Sequence, residues 1–179
     1  EGIEKIYVLN VESFSARRRH MEQELKRFHL EAEFVHAWDV PALTEDILKR
    51  TFKGQSLSLP QKSIALKHVT VLQNIVQNNY DKALILEDDV LFSDDFRDGV
   101  RRSLIESKSY PESQVILIGC GGNFYTPKSR RTVGQSLYVN TRVRFADSYI
   151  IGRQSAQLRL DWISKNLIDK PIDNQFEFI

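Results

Sequence analysis

The chain has 179 residues, of which 41% are apolar and 27% charged, and this composition is typical of a globular domain rather than of a disordered segment. The 25 Lys and Arg residues nearly balance the 24 Asp and Glu residues, so the net charge of +1 gives no reason to expect nucleic acid as a partner. A single cysteine excludes an internal disulfide, and no apolar run approaches the roughly 20 residues of a membrane span. We expect a cytoplasmic protein with at most peripheral membrane contact.

Predicted strands and helices alternate from the start of the chain. Residues 5–11 are rich in apolar and β-branched side chains and predict a buried strand, and an amphipathic helix follows with apolar residues at helical spacing over 21–28. Residues 32–39 predict a second strand and residues 44–50 a short helix. Each predicted strand is therefore followed by a helix.

The central helix has a recognisable start. Ser58 and Gln61 have the spacing of a capping box, with Pro60 in the first turn, and they predict a helix that continues to about Asn78. Residues 82–87 form a short apolar run without alternation, which is typical of a strand covered on both faces.

The later part of the chain repeats the same alternation. The remaining predicted elements are a helix within 93–105, strands at 113–119, 136–143 and 147–152, and a helix at 155–167. Alternating strands and helices favour a mostly parallel sheet sandwiched by helices. No composition break divides the chain, so we expect one α/β domain over residues 1–179.

Three adjacent acidic residues lie at the end of the predicted strand at 82–87. Ligands of open α/β sheets collect at the carboxyl ends of the strands, where Glu87, Asp88 and Asp89 would lie. Alternation along an extended chain would put Glu87 and Asp89 on one side, and such a pair can hold a divalent cation completed by diphosphate oxygens. The alternative interpretation is a solvated acidic turn.

Several motifs together resemble glycosyltransferase family 25, the lipooligosaccharide-type sugar transferases. They occur in the family's order and approximate spacing: YVLNVESFSARRRHMEQEL, FVHAWD, a helix that contains His68, ALILEDDVLF, and DSYIIGRQSAQ followed by KPID. The resemblance implies a GT-A type, Rossmann-like fold, a UDP-sugar or similar nucleotide-sugar donor, a glycan hydroxyl as acceptor and a Mn²⁺ or Mg²⁺ ion. It leaves open whether a further tail follows residue 179.

The resemblance also implies roles for individual residues. Leu9, Asn10 and Asp88 would lie beside the donor. Arg17 would approach its phosphates, since guanidinium groups and helix starts both favour anions. Asp39 would face the base or the ribose, or else cap a turn. The metal ligands would be Glu87 and Asp89.

The helix motif departs from the family pattern. Related transferases usually carry Glu-Ile-Gly-Cys before a Ser-His pair, whereas this chain has Gln-Lys-Ser-Ile at 61–64 and then Lys67 and His68. Lys67 is a candidate for a donor phosphate contact, with a solvated surface lysine as the alternative. His68 lies on an apolar stripe of the helix, which favours a hydrogen-bonded core histidine.

A transfer with inversion also needs a base for the acceptor hydroxyl. Asp173 in KPID matches the acidic position that follows the last helix in the family, and Asp147 at the start of the last predicted strand is the rival candidate. Either carboxylate could instead anchor an acceptor hydroxyl.

Three other functions compete with a transferase. A phosphoacceptor receiver domain is disfavoured because the acid-bearing strand is the third and no Asp occurs between Asp98 and Asp147. A nucleotidyltransferase shares the metal chemistry, but its phosphate loop after the first strand usually contains glycine, and this one does not. A catalytically idle module that binds a nucleotide-sugar or glycan is suggested by the altered helix motif.

Overall fold

A computed structural model describes residues 2–112, 114–119, 126–139 and 146–176. Its strands are β1 (Lys5–Leu9), β2 (Glu33–Val35), β3 (Lys82–Glu87), β4 (Val115–Leu117) and β5 (Ser148–Gly152). Its α-helices are α1 (Ser15–Arg27), α2 (Glu45–Thr51), α3 (Leu59–Gln77), α4 (Phe96–Glu106), α5 (Arg153–Asn166) and α6 (Ile172–Phe176). The helices described are too short or too polar for any of them to cross a membrane.

The five described strands form one mixed sheet in the order β2-β1-β3-β5-β4. β1 pairs in parallel with β2 and β3, whereas β5 pairs antiparallel with β3 and with β4. The expectation of a mostly parallel sheet is therefore right for one half and wrong for the other. A parallel crossover needs an intervening helix, and β4 and β5 follow one another without an α-helix in the described part of their connection.

Helices cover both faces of this sheet, as predicted. On one face, α3, α5 and α6 bury apolar side chains against the strands, with Leu72, Ile75 and Tyr149 among the fully buried residues. On the other face, α1 and α4 pack through residues such as Met21 and Leu104. Burial of these apolar surfaces is the main favourable contribution to folding.

The capping box at the start of α3 is confirmed. The Ser58 side chain accepts a hydrogen bond from the Gln61 backbone N–H, and the Gln61 side chain accepts one from the Ser58 backbone N–H. Because α3 begins at a fixed residue, the side chains in its middle reach the sheet in a defined register.

Two predicted elements differ from the structure. β2 ends at Val35 rather than at residue 39, because the chain turns at Trp38, which has a positive φ of 66°. Residues 136–139 of the predicted edge strand are not in a strand, and residues 140–143 and Cys120 lie outside the described residues.

Candidate active site

The carboxyl end of the sheet is the place where β1, β2 and β3 end and the antiparallel β5 begins. Leu9 is in register with both Val35 and Glu87, and Leu86 is in register with Ser148. Residues that follow these strand ends therefore lie next to one another in space. Open α/β sheets bind their ligands at this end.

Asp88 is held between two partners from other elements. It is 5% exposed, and its carboxylate accepts hydrogen bonds from Asn10 Nδ2 at 2.7 Å and from Arg17 Nη1 at 2.8 Å. The same Arg17 nitrogen lies 3.2 Å from Asp89 Oδ2. One guanidinium thus compensates two of the three adjacent acids, and it supplies the positive charge that a buried carboxylate requires. These acidic neighbours raise the pKa of Arg17, and the hydrogen bond that Arg17 donates to Asp88 is the largest cause.

Glu87 points away from this pair. Its Oε1 lies 3.9 Å from His68 Nε2 on α3, whereas Asp88 and Asp89 contact α1. The predicted alternation does not extend to Asp89 because β3 ends at Glu87 and the next two residues form a turn. Glu87 and Asp89 therefore contact different helices and do not form a facing pair.

His68 is a buried core residue, as its apolar stripe predicts. It is fully buried, and its Nδ1 lies 2.8 Å from the hydroxyl of Tyr149 on β5. The two rings also stack, with their centroids 5.6 Å apart. Burial raises the pKa of Tyr149, so its hydroxyl stays neutral at physiological pH. A buried tyrosine hydroxyl needs such a partner, and this is the sequence signal that could have paired the two residues.

Lys67 is the site residue whose environment differs most from its sequence interpretation. The surface alternative is wrong, because the residue is 1% exposed. Its Nζ lies 3.0 Å from the carbonyl oxygen of Asn10 and 2.7 Å from that of Ala37. It also lies 3.3 Å from the carbonyl oxygen of Val35 and 2.7 Å from Asp39 Oδ1.

Asp39 connects Lys67 to the loop after β1. Its second carboxylate oxygen accepts a hydrogen bond from the Glu12 backbone N–H at 2.9 Å. Burial alone would raise the pKa of Asp39, but the bonds from Lys67 and Glu12, together with the charge of His36, outweigh it and lower the pKa. Asp39 therefore carries its negative charge at neutral pH.

A polar stripe on α3 was missed in the sequence. Ser63, Lys67 and Thr70 follow helical spacing, and each forms a hydrogen bond with the turn at residues 37–39. The Ser63 hydroxyl donates to the Trp38 carbonyl, and the Trp38 indole N–H donates to Thr70 Oγ1. Lys67 donates to the Ala37 carbonyl, as described above. Polar residues at i, i+4 and i+7 within a buried helix are the signal that could have revealed it.

Asp147 lies at the same end of the sheet, directly before β5. Its backbone carbonyl accepts a hydrogen bond from the Glu87 N–H at 2.7 Å. Burial is the main cause that raises the pKa of Asp147, and the charge of Glu87 adds to it. Gly119 makes room for the side chain, because a Cβ at that position would lie 2.6 Å from Asp147 Oδ1.

Asp173 lies in the first turn of α6, which packs against α3. The segment before α6 is joined to the segment before α3, through the Ile168 N–H to Thr51 and the Ser56 hydroxyl to the Asp169 carbonyl. This places Asp173 near the start of α3.

The comparisons with known proteins agree with the sequence resemblance. Residues 3–176 match the model of glycosyltransferase family 25, described as an LPS biosynthesis protein.

The chain belongs to glycosyltransferase family 25.

Three relatives illustrate the range of this family. "Putative glycosyltransferase R655" of Acanthamoeba polyphaga mimivirus is 33% identical over 64% of this chain and 37% of its own length. "Inactive glycosyltransferase 25 family member 3" of Mus musculus is 25% identical over 68% and 25%. "Procollagen galactosyltransferase 2" of Mus musculus is 24% identical over 66% and 21%. The matched part of each relative is therefore at most about two fifths of its length.

Proposed function

We propose that this member of family 25 transfers a sugar from a nucleoside-diphosphate sugar, with UDP as the favoured nucleotide, to a glycan hydroxyl. One observation carries the proposal. Side chains that follow β1, β2 and β3 join with α1 and α3 in one hydrogen-bonded network at the carboxyl end of the sheet, where α/β folds bind nucleotides. We include a GT-A type fold in this proposal.

The donor would lie along this network. Arg17 is half-exposed and uses one nitrogen, Nη1, for Asp88 and Asp89. A guanidinium has five N–H donors, so it can also donate to a phosphate. Asp39 would face a ribose hydroxyl or a base N–H, and the buried residues Leu9 and Asn10 would lie beneath the donor.

The acids fit a divalent cation only in part. In the described ranges, no group of three or more His, Cys, Asp or Glu side chains is arranged to hold a metal ion. Mg²⁺ often binds through one or two carboxylates and takes its other ligands from phosphate and water. Asp89, with 54% of its side chain exposed, would supply one carboxylate, and Glu87 would have to turn from His68 toward Asp89 to supply the second. When bound, such an ion stabilises the negative charge of the leaving diphosphate.

Asp147 is our first candidate for the base. It would accept the proton of the acceptor hydroxyl while that oxygen bonds to the anomeric carbon and the sugar's bond to the diphosphate breaks. Burial and Glu87 raise the pKa of Asp147, and a raised pKa makes a carboxylate a stronger base. Asp173, the first candidate from the sequence, becomes the alternative base.

A second function is favoured by one specific contact. Because Arg17 pairs with both Asp88 and Asp89, these acids are already compensated without a cation. A module that binds the nucleotide-sugar without transferring it would fit this arrangement, and one mouse relative is named inactive.

Calorimetric titration with UDP, GDP and CMP, with and without Mn²⁺, tests the donor site. We expect one diphosphate to bind in a Mn²⁺-dependent way and Asp89→Ala to abolish the Mn²⁺ dependence. Asp94→Ala is the matched control, because Asp94 is fully exposed and pairs with Arg27 at the far end of α1. Release of the diphosphate from UDP-sugars then separates a transferase from a binding module. No binding of any nucleotide by the folded protein would contradict both functions.

A further inference from the structure

Lys67 is a buried cation that the transferase chemistry above does not use directly. Lysine is almost never fully buried unless it is paired. Here the ammonium has four acceptors within 3.3 Å, three carbonyl oxygens and the Asp39 carboxylate. An ammonium has only three N–H donors, so the acceptors already engage all of them. Lys67 therefore cannot bind a donor phosphate without giving up its own partners.

The acceptors belong to both segments that border the proposed donor site. Asn10 follows β1 and accepts a hydrogen bond from Lys67 through its carbonyl oxygen, and its side chain donates a hydrogen bond to Asp88. The Ala37 carbonyl and Asp39 belong to the turn after β2, and Asp39 continues to the Glu12 N–H in the loop before α1. One ammonium thus fixes the two segments relative to each other.

The turn after β2 depends on such support. Trp38 has a φ of 66°, a left-handed conformation that costs free energy for a residue with a side chain. The residues on each side of Trp38 bind Lys67, and Ser63 and Thr70 of the same helix bind Trp38 itself. The conformation of the turn, and with it the direction of the Asp39 carboxylate, is thus set from α3.

We propose that Lys67 is a positioning residue that orients Asp39 and the segment 10–12 toward the nucleoside part of the donor. This inference rests on the proposed function, because it assigns a role within the same donor site. Lys67 acts through Asp39 and the backbone and does not touch the donor.

The test compares Lys67→Met, Asp39→Asn and the double variant with the wild type. Methionine keeps much of the length of the side chain and removes its charge. We expect Lys67→Met to weaken UDP binding in the presence of Mn²⁺ by about ten-fold to a hundred-fold, because a misdirected Asp39 would lose its charged hydrogen bond to the nucleoside. The double variant should bind no more weakly than the weaker single variant, since both changes break one linkage.

A pH profile separates positioning from loss of stability. Lys67 of α3 and His36 beside the turn are the charged groups that face Asp39, and its remaining partner is the Glu12 N–H. Loss of Lys67 removes the largest contribution that lowers the pKa of Asp39, so this pKa is higher in the variant than in the wild type and the ratio of the variant's Kd to the wild-type Kd should grow as the pH falls. Ile75→Ala, a core change on the same helix, should lower Tm but leave Kd within about two-fold and the ratio independent of pH.

The outcomes separate the two proposals. If the wild type binds UDP and a folded Lys67→Met variant binds equally well at every pH, the positioning role is wrong and the donor site stands. If Lys67→Met does not fold, the double variant, which leaves no unpaired charge, is compared with Asp39→Asn alone, and a double variant that binds UDP much more weakly than Asp39→Asn would overturn the linkage. If the wild type binds no nucleotide, the proposed function fails and the positioning role falls with it.

Discussion

The guanidinium of Arg17 lies 2.8 Å from the buried carboxylate of Asp88 and joins the first turn of α1 to the end of β3. The contact explains how a chain can place three acids in a row at the end of a buried strand. The same nitrogen reaches Asp89, so only Glu87 of the three faces a different element. The charge that the acidic run requires is therefore supplied, at least for two residues, from within the chain.

Arg17→Ala tests whether this guanidinium and a cation compete for Asp89. We expect the variant to bind Mn²⁺ alone more tightly than the wild type, because Asp89 loses its partner, and to bind UDP without metal more weakly. Stability should fall by about 1–3 kcal/mol, because Asp88 keeps its hydrogen bond from Asn10 but its buried carboxylate loses its charged partner. Calorimetric titration of Mn²⁺ and of UDP measures both effects.

Arg27→Ala is the matched control for Arg17→Ala. Arg27 is ten residues further along α1, about 15 Å away, and it pairs with Asp94 in the same acidic segment. We expect it to leave both affinities unchanged. If the two variants changed the affinities for Mn²⁺ and UDP equally, the effect would come from net charge rather than from the site.

Gly119→Ala tests whether the position of Asp147 matters for transfer. The new Cβ would overlap the Ser148 hydroxyl and lie 2.6 Å from Asp147 Oδ1, so the carboxylate must move. We expect the rate of sugar transfer to fall at least ten-fold while the Kd for UDP changes little. In Gly99→Ala, where the Cβ meets nothing within 4 Å inside α4, the rate should be unchanged and stability should rise by about 0.5–1 kcal/mol. A normal rate for Gly119→Ala would remove Asp147 from the mechanism.

The raised pKa of Asp147 predicts a stabilising substitution. The folded state binds the Asp147 proton more tightly than the unfolded state does. Ionisation of Asp147 therefore lowers the stability of the folded state once the pH rises above the pKa of the unfolded state. Asp147→Asn should therefore have a higher Tm than the wild type at pH 7, and the difference should vanish toward pH 4. Thermal unfolding across this range measures it, and a Tm difference that grows toward acid would contradict the account.

Asp39→Asn should change the stability at neutral pH in the opposite direction from Asp147→Asn. The pKa of Asp39 is lowered in the folded state, so its ionised form contributes stability above the unfolded pKa, and this is lost as the pH falls through the folded value. We expect the variant to be less stable than the wild type at pH 7 and to approach it below about pH 4. A constant difference at all pH values would show that charge is not the cause.

Local sequence patterns predicted the helices and strands better than they predicted which segments contact one another. The capping box at Ser58 and the apolar run of β3 depend on neighbours in sequence, and both are confirmed. The direction of β5 and the burial of Lys67 depend on segments that meet only in the folded chain. The acceptors of Lys67 are mostly backbone carbonyls, which carry no sequence signal, so no reading of side chains could have found them.

The residues of the candidate site also divide into those that local motifs predicted and those that were missed. The acids after β3, Arg17 and Asp39 were identified from motifs, and the structure places all of them at the carboxyl end of the sheet. Their functions as donor and metal ligands stay predictions. Tyr149 and the stripe of Ser63 and Thr70 were missed, since each is recognised as part of the site only through its contact with a residue far along the chain.

The location of nucleotide binding is the central claim, and amide chemical-shift mapping of the labelled protein with UDP and Mg²⁺ tests it most directly. We predict that the shifts concentrate in the segments that meet at the carboxyl end of the sheet, namely residues 9–17, 37–39, 87–89 and 146–148. The amides around Lys26 and His29, which line a shallow groove at the other end of α1, should be unaffected. Shifts confined to that groove, or no shifts at millimolar UDP, would contradict the account.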